Sequence, residues 1–272
     1  PLRTSVQIRY LGVTIDRDTK MVAHVRDATK RTDKIVNNLK RIMVNIGGPR
    51  SSTRKIIATA ALSTLLYGCE TWHEVLRWGC YRNLLDKTSR RIAIMISSGY
   101  RTISTNALFV IAGMMPIDLK VRRRCQVYER GKEHRGEIEK EVFKEWQNRW
   151  DKAEGETAGW TRRLIPDLQK WANRKHGEIN YYVTQMLSGH GNFAKQRQRI
   201  AKSETSECWY GCGEEDTAEH TLFACLKWQN ERRKVEDQIG KRIEDKNLVE
   251  TMLESKDKWT ERQKEKRKIQ KD

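Results

Sequence analysis

The sequence contains few acidic residues, few prolines and no long apolar segment. Its 272 residues include only four prolines, and 36 Asp and Glu stand against 54 Lys and Arg. All apolar runs are shorter than the roughly 20 residues that a membrane-spanning helix needs, so we expect no membrane partner. Because proline is the residue that interrupts helices most strongly, its scarcity favours a mainly helical fold.

The shortage of acidic residues gives the chain a strongly positive charge. The formal net charge is +18 at pH 7 and the isoelectric point is near 9.7. Such a charge attracts polyanions, and without a membrane signal the favoured partners are RNA and DNA, including single-stranded segments.

Cysteine is also scarce, and its distribution is uneven. The chain has six cysteines at irregular spacings, which does not indicate a disulfide framework in a chain of this length. The sequence therefore predicts a reducing, intracellular location. Cys69, Cys80 and Cys125 are scattered through apolar or helical sequence and are interpreted as buried thiols. A metal site formed by Cys69, His73 and Cys80 would lack a fourth ligand.

The other three cysteines lie close together with a histidine. Cys208, Cys212, His220 and Cys225 form the pattern C-x3-C-x7-H-x4-C. Thiolates and imidazole suit zinc, and four protein ligands leave no open coordination position, so the spacing predicts one structural zinc ion. The alternative is a small apolar subdomain with ordinary cysteines. Clustering of half the cysteines here favours zinc.

The periodicity of apolar residues predicts a helical bundle after a short strand. Alternation from about Val6 to Ile15 predicts one β-strand that ends in a turn. Apolar residues three and four apart then predict helices from His24 to Ile46, from Ser51 towards Tyr67, and around Leu84 to Met95. The opposite face of the first helix is basic, which fits either a solvated surface or a phosphate-binding face.

The remaining sequence predicts a linker, a zinc loop and a charged tail. A long basic helix begins after Ile117 and later carries Trp146 and Trp150, and a polar stretch at 154–159 resembles a hinge. The predicted domains are a strand and turn at 1–22, a thumb-like bundle at 23–116, a helical linker at 117–200, a zinc knuckle at 201–232 and a charged helical or disordered tail at 233–272.

Several sequence strings resemble one family. They are YLGVTID, NIGGPRSSTRK, LLYGCETW, YRTIST, VIAGMMPIDL, WQNRWD, WTRRLIPDL, SGHGNF and DTAEHTLFACLKW. From about Tyr10 to Arg232 they resemble the C-terminal part of non-LTR, LINE-type retrotransposon reverse transcriptases, in the insect clade that inserts into ribosomal RNA genes.

This resemblance implies the end of a polymerase palm, a thumb, a linker and a CCHC zinc knuckle. It also implies a longer parent protein, as does the start at Pro1. The aromatic-x-Asp-Asp motif that holds Mg²⁺ in the polymerase centre does not occur in this sequence, so we expect no polymerisation by the chain alone. The family resemblance further implies a nuclear and cytoplasmic location.

The leading hypothesis is that the chain holds template RNA and primer DNA during target-primed reverse transcription. Trp209 and Tyr210, between the first two zinc ligands, are candidates for stacking on unpaired bases. The candidate phosphate contacts are Lys30, Arg31, Lys34, Arg41, Arg122, Arg123, Arg124, Arg197 and Arg199.

The alternative hypothesis is a domesticated or decayed fragment that acts as a zinc-stabilised scaffold for protein interactions. In that case, a partner surface is predicted from five tryptophans: Trp146, Trp150, Trp160, Trp171 and Trp228. A hydrolase or nuclease has little support, since His190 is an isolated candidate that is better interpreted as a loop or core histidine.

Overall fold

A computed structural model describes residues 5–153 and 156–260 of the chain. The first two residues of the predicted hinge, 154 and 155, and the last part of the predicted tail, 261–272, lie outside the described residues. None of the described helices has the length and apolar character that crossing a membrane requires.

The described part is mainly helical, with one small sheet, as the sequence predicts. The strands are β1 (Gln7–Tyr10) and β2 (Val13–Asp16). The helices are α1 (Val22–Leu39), α2 (Ser51–Leu65), α3 (Cys69–Trp72), α4 (Gly79–Ser97), α5 (Thr105–Ala112), α6 (Ile117–Arg130), α7 (Arg135–Asp151), α8 (Glu156–Leu164), α9 (Leu168–Ala172), α10 (Tyr181–Ser188), α11 (Ala194–Arg199), α12 (Gln229–Ile239) and α13 (Asp245–Glu254).

The chain divides into two compact units. The first unit comprises residues 1–96 and 114–149, and the second comprises residues 97–113 and 150–272. The segment 97–113, which contains α5, therefore packs with sequence that follows it much later. The functional domain boundaries proposed from the sequence remain predictions.

The first unit begins with a β-hairpin rather than the single predicted strand. β1 and β2 pair in antiparallel register, with Tyr10 opposite Val13. The two turn residues, Leu11 and Gly12, have φ values of 45° and 82°. Both lie in the left-handed region that two-residue hairpin turns need. Leucine rarely adopts this conformation, so Leu11 gives no sign of a turn in the sequence. The apolar alternation on both sides of it therefore predicts one continuous strand.

A buried histidine joins the hairpin to the helices of the first unit. His24, on α1, is fully buried. Its Nδ1 accepts the backbone N–H of Thr14 at 3.2 Å, and its Nε2 lies 3.3 Å from the carbonyl oxygen of Tyr67. This pairing requires a neutral ring with the proton on Nε2. Burial accordingly lowers the pKa of His24.

The core of the first unit collects apolar residues from helices α1 to α4 and α6. Its buried members are Val25, Leu65, Leu66, Cys69, Trp72, Val75, Leu85, Ile117, Val121 and Cys125. Two of the three scattered cysteines, Cys69 and Cys125, are buried here as predicted. The prediction is wrong for Cys80, which is exposed in the first turns of α4.

The long basic helix predicted beyond Ile117 is two helices. α6 ends at Arg130, Gly131 adopts a φ of 97°, and α7 begins at Arg135. Ion pairs then connect the two helices: Arg123 contacts Glu139 at 2.9 Å and Arg130 contacts Glu141 at 3.1 Å. Two of the basic residues of this segment, Arg123 and Arg130, are therefore neutralised by acidic residues of α7.

Tryptophans form much of the second unit's interior. Trp150 donates its indole N–H to the carbonyl of Ile165, Trp160 to that of Met186 and Trp171 to that of Val110, at 2.7–2.9 Å. Each bond satisfies the single polar group of a buried indole.

These tryptophans do not form the partner surface that the scaffold hypothesis predicts. All five, including Trp146 and Trp228, are at most 9% exposed. That prediction is wrong, because large aromatic side chains contribute most to stability when they are removed from water.

His190 is a buried titratable residue of the second unit. It is 3% exposed, and its Nδ1 lies 2.9 Å from the hydroxyl oxygen of Thr102. Burial, with a smaller effect of Arg199, lowers the pKa of His190 to about 4. The folded state therefore binds fewer protons than the unfolded state between about pH 6.5 and 4.

We expect the free energy of unfolding to fall as the pH drops through this window, by up to about 3 kcal/mol from His190 alone. Urea unfolding of the wild type and of His190→Gln at pH 7 and pH 4.5 measures this contribution. Carboxylate titration affects both proteins equally, so the wild type should lose more stability on acidification. Equal losses would show that His190 protonates freely in the folded state.

Candidate metal centre and nucleic-acid interface

The four residues of the C-x3-C-x7-H-x4-C pattern meet at one point of the second unit. One ligand atom from each of Cys208, Cys212, His220 and Cys225 lies within 4.8 Å of the other three. The Sγ of Cys225 is 3.8 Å from that of Cys208 and 3.7 Å from that of Cys212.

These distances fit a tetrahedral metal site. With zinc–sulfur bonds of about 2.3 Å, two sulfur ligands at the corners of a tetrahedron are about 3.8 Å apart. The three thiols and one imidazole are compatible with zinc, and the cluster could hold one metal ion. A disulfide is a different arrangement, because its sulfurs are only about 2.05 Å apart.

The imidazole of His220 supports the same interpretation. His220 is buried, and its Nε2 has no hydrogen-bond partner among the described residues. An unpartnered buried nitrogen costs stability, whereas the same lone pair becomes a ligand when a metal ion is present. The cluster thus offers the nitrogen ligand that three sulfurs need to complete a tetrahedron.

Two tight turns bring the first two cysteines together. Gly211 and Gly213 flank Cys212 with φ values of 71° and 74°, a region in which other residues are strained. The Cys208 N–H donates to the Glu214 carbonyl at 2.9 Å, which closes the loop around Cys212. The two glycines therefore supply the backbone conformation that these turns require.

The protonation of the sulfurs depends on their surroundings. Burial raises the pKa of the Cys225 thiol to about 12, whereas the backbone N–H of Leu226 lowers the pKa of the Cys212 thiol. Metal binding at this cluster consequently has to displace the proton of Cys225, and acid opposes it.

Trp228 packs against the cysteines of the cluster. It is 2% exposed and forms a small apolar cluster with Cys208 and Cys225. The ring of Tyr210 meets that of Trp228 edge to face, with centroids 5.6 Å apart. The neighbouring Arg232 donates to the Cys225 carbonyl at 2.6 Å.

Asp216, which no sequence motif marks, attaches the loop to α11. Its carboxylate accepts the Ala194 N–H at 2.8 Å and the Thr221 hydroxyl at 2.5 Å. A second attachment involves Arg163 of α8, which pairs with Glu219 at 2.7 Å and with Asp245 at 3.3 Å. In the sequence, Asp216 is only one of several acidic residues between Cys212 and His220, so nothing local distinguishes it.

The aromatic pair between the first two ligands is accessible to solvent. Trp209 is 49% exposed and Tyr210 is 39% exposed. Each ring has a cation over it: the Arg197 guanidinium is 5.5 Å from the Trp209 ring centre, and the Lys227 ammonium is 5.4 Å from that of Tyr210. An exposed ring with an adjacent cation can bind both the face of a base and its phosphate.

The predicted phosphate contacts of the first unit have different environments. Arg123 is paired with Glu139, and Arg124 donates to the carbonyl of Leu66 at 2.8 Å. Arg31 is half-buried on α1. Four others are exposed and form no ion pair within the described residues: Lys30, Lys34, Arg41 and Arg122.

The two predicted contacts of the second unit lie on α11. Arg197 stacks on Trp209 and donates to the side chain of Asn192 and the carbonyl of Lys202, both at 3.3 Å. Arg199 is exposed and forms no ion pair within the part of the chain that is described. The structure brings Arg197 to the aromatic pair and leaves Arg199 available for another anion.

Sequence comparison finds relatives among insect retrotransposons. The chain is 27% identical over 246 residues to a Retrovirus-related Pol polyprotein from type-1 retrotransposable element R1 2 of Nasonia vitripennis, covering 82% of the chain and 59% of that protein. It is 26% identical over 239 residues to a putative 115 kDa protein in type-1 retrotransposable element R1DM of Drosophila melanogaster. That match covers 80% of the chain and 23% of the relative.

A third relative, a Pol polyprotein from element R1 4 of Nasonia vitripennis, is 25% identical over 240 residues. The match covers 80% of the chain and 60% of that relative. No protein-family model matches the chain. No solved structure matches it either. The chain is therefore homologous to Pol polyproteins of insect R1 non-LTR retrotransposons, and it spans between about a quarter and 60% of the length of these three relatives.

Proposed function

We propose that the chain is a nucleic-acid-binding part of a reverse-transcriptase polyprotein, and that one structural zinc ion shapes its binding loop. In the parent protein it would hold template RNA and primer DNA during target-primed reverse transcription. The observation that carries the proposal is the convergence of four metal-ligand atoms in a loop that carries two exposed rings, Trp209 and Tyr210, between the first two ligand residues.

The zinc ion would have a structural role. Three sulfurs and the imidazole of His220 would fill a tetrahedron, so no coordination position would remain for a substrate or an activated water. The ion would fix the turn between Cys208 and Cys212. That turn carries both exposed rings, so metal binding would determine their orientation.

The aromatic pair would stack on unpaired bases. Base stacking on an aromatic side chain contributes about 1–3 kcal/mol per base and tolerates any sequence. Arg197 and Lys227, which already lie over the two rings, would contact the adjacent phosphates. In the first unit, the exposed cations of α1 and α6 would add contacts to the phosphate backbone.

Filter binding of a single-stranded RNA oligonucleotide across a salt series tests this function. We expect binding at about 50 mM salt that weakens steeply as salt rises, because each phosphate contact releases counterions. Trp209→Ala should weaken binding by about tenfold, since one base loses its stacking partner.

The matched control is Tyr128→Ala, which removes another exposed aromatic ring, on α6 of the first unit. This variant should bind as the wild type does. A wild-type protein without affinity for RNA or single-stranded DNA at low salt would contradict the proposed function.

A further inference from the structure

The second unit contains a groove beside the loop that carries the four candidate metal ligands. Stacking of bases on Trp209 and Tyr210 gives this groove no role. Its cavity volume is about 850 Å³, within the roughly 300–1,000 Å³ of sites that enclose small organic groups. Its lining includes Trp160, Phe193, Lys195, Gln196, Gln198 and Arg199. Helix α11 forms one wall, and Gly159 of α8 lies on another side.

The chemistry of the lining suits a nucleotide. Trp160, Phe193 and Ala218 provide a buried apolar floor, at most 9% exposed. The amides of Gln196 and Gln198 offer donors and acceptors for base edges or sugar hydroxyls. Arg199, which has no carboxylate partner in the described part of the chain, supplies an uncompensated positive charge at the rim.

The charge of this groove contrasts with that of a neighbouring depression. The groove is lined by four cations and two acids: Arg162, Arg163, Lys195, Arg199, Glu215 and Glu219. The neighbouring depression, which shares both acids, is lined by six acidic residues and four cations. Because two such surfaces differ in the sign of their net charge, a polyanion should enter the groove and avoid the depression.

Helix α11 connects the groove with the aromatic pair. Lys195, Gln196 and Arg199 line the groove, while Arg197 of the same helix stacks on the Trp209 ring. A strand stacked on Trp209 therefore has a path across α11 into the groove. The helix is held in place by Asp216, which accepts the Ala194 N–H.

We infer that this groove is a second binding site, which takes a nucleotide of the same single strand that stacks on the aromatic pair. The inference rests on the proposed function and extends it. The base lies on the apolar floor beneath the glutamine amides, and Arg199 contacts a flanking phosphate.

Substitutions at two independent positions test the site, with a 12-nucleotide RNA as the probe. Arg199→Ala should weaken binding about tenfold at low salt. It should also reduce the steepness of log affinity against log salt concentration by about 0.7, the value for one phosphate contact with a single strand. Gly159→Glu places a carboxylate in the groove. A Cβ at Gly159 meets no atom within 4 Å, so the fold should accept it.

The neutral counterpart Gly159→Gln separates charge from bulk, and it should bind at least fivefold more tightly than Gly159→Glu. The control for Arg199 is Arg233→Ala, which removes an exposed arginine from the acidic depression and should leave affinity unchanged. Zinc content and thermal unfolding establish that each variant is folded.

The outcomes distinguish this site from the proposed function. If the wild type binds and Trp209→Ala weakens binding while Arg199→Ala and Gly159→Glu do not, the groove is not a nucleotide site and the proposed function stands. Absence of wild-type binding overturns both. Displacement of the RNA from the groove by an acidic peptide at equal charge concentration would identify an acidic protein segment as the occupant and overturn the nucleotide assignment.

Discussion

Replacing Cys225 by Ser should remove most of the metal affinity and disorder the loop from residue 207 to 228. Among the four candidate ligands, Cys225 has its sulfur within 3.8 Å of both other sulfurs, and it is 1% exposed. In the variant, the cluster keeps three candidate ligands and a serine hydroxyl in place of the Cys225 thiol. A hydroxyl is a much weaker zinc ligand than a thiolate. Loss of a residue that merely supports a ligand costs about 10–100-fold in affinity, so loss of the ligand itself should cost more.

Competition with a chromophoric zinc chelator measures this affinity, and proteolysis reports the order of the loop. The first unit should stay folded, since its core contains none of the four ligands. Cys80→Ser, which changes an exposed cysteine of that unit, is the matched control and should keep full affinity. Unchanged zinc affinity in Cys225→Ser would show that Cys225 is not a ligand.

Replacing Arg54 by Met should strongly destabilise the first unit. Arg54 is 2% exposed on α2, and its guanidinium donates to four backbone carbonyls. These are the carbonyls of Pro49 at 2.8 Å, Met43 at 3.3 Å, Met95 at 3.1 Å and Val44. The side chain thus joins the loop after α1 to the last turn of α4.

Methionine is similar in length but donates no hydrogen bond, so several buried carbonyls would lose their partners. Each unpaired buried carbonyl costs about 1–3 kcal/mol, and we expect a total loss of about 3–5 kcal/mol in the free energy of unfolding. The whole free energy of unfolding of a small domain is only about 5–15 kcal/mol. Urea unfolding followed by circular dichroism measures the change.

Arg50→Met is the matched control, because Arg50 lies four residues away and is exposed. That variant should stay within about 0.5 kcal/mol of the wild type. A loss below 1 kcal/mol in Arg54→Met would mean that water satisfies these carbonyls and that the arginine does not hold the loop.

The sequence predicts the metal cluster and the helical class well, for different reasons. The four ligands lie within 18 residues of one another, so local spacing is enough to bring them together. Helices are visible because their apolar faces repeat every three to four residues. Neither inference needs knowledge of contacts between distant segments.

Features that depend on distant contacts could not be predicted. Arg54 looks like an ordinary basic residue in the sequence, and its partners Met43 and Met95 are reached only through the fold. The tryptophan positions suggest an exposed face because their partners, such as Val110 for Trp171, lie far away in the sequence. The groove beside α11 likewise requires three separate segments.

The zinc ion at Cys208, Cys212, His220 and Cys225 is the central claim, and X-ray absorption at the zinc edge combined with metal analysis tests it most directly. Freshly purified, reduced protein should contain one zinc per chain, with three sulfur ligands at about 2.3 Å and one nitrogen at about 2.0 Å. Zinc well below one equivalent, or a first shell dominated by oxygen, would contradict the account.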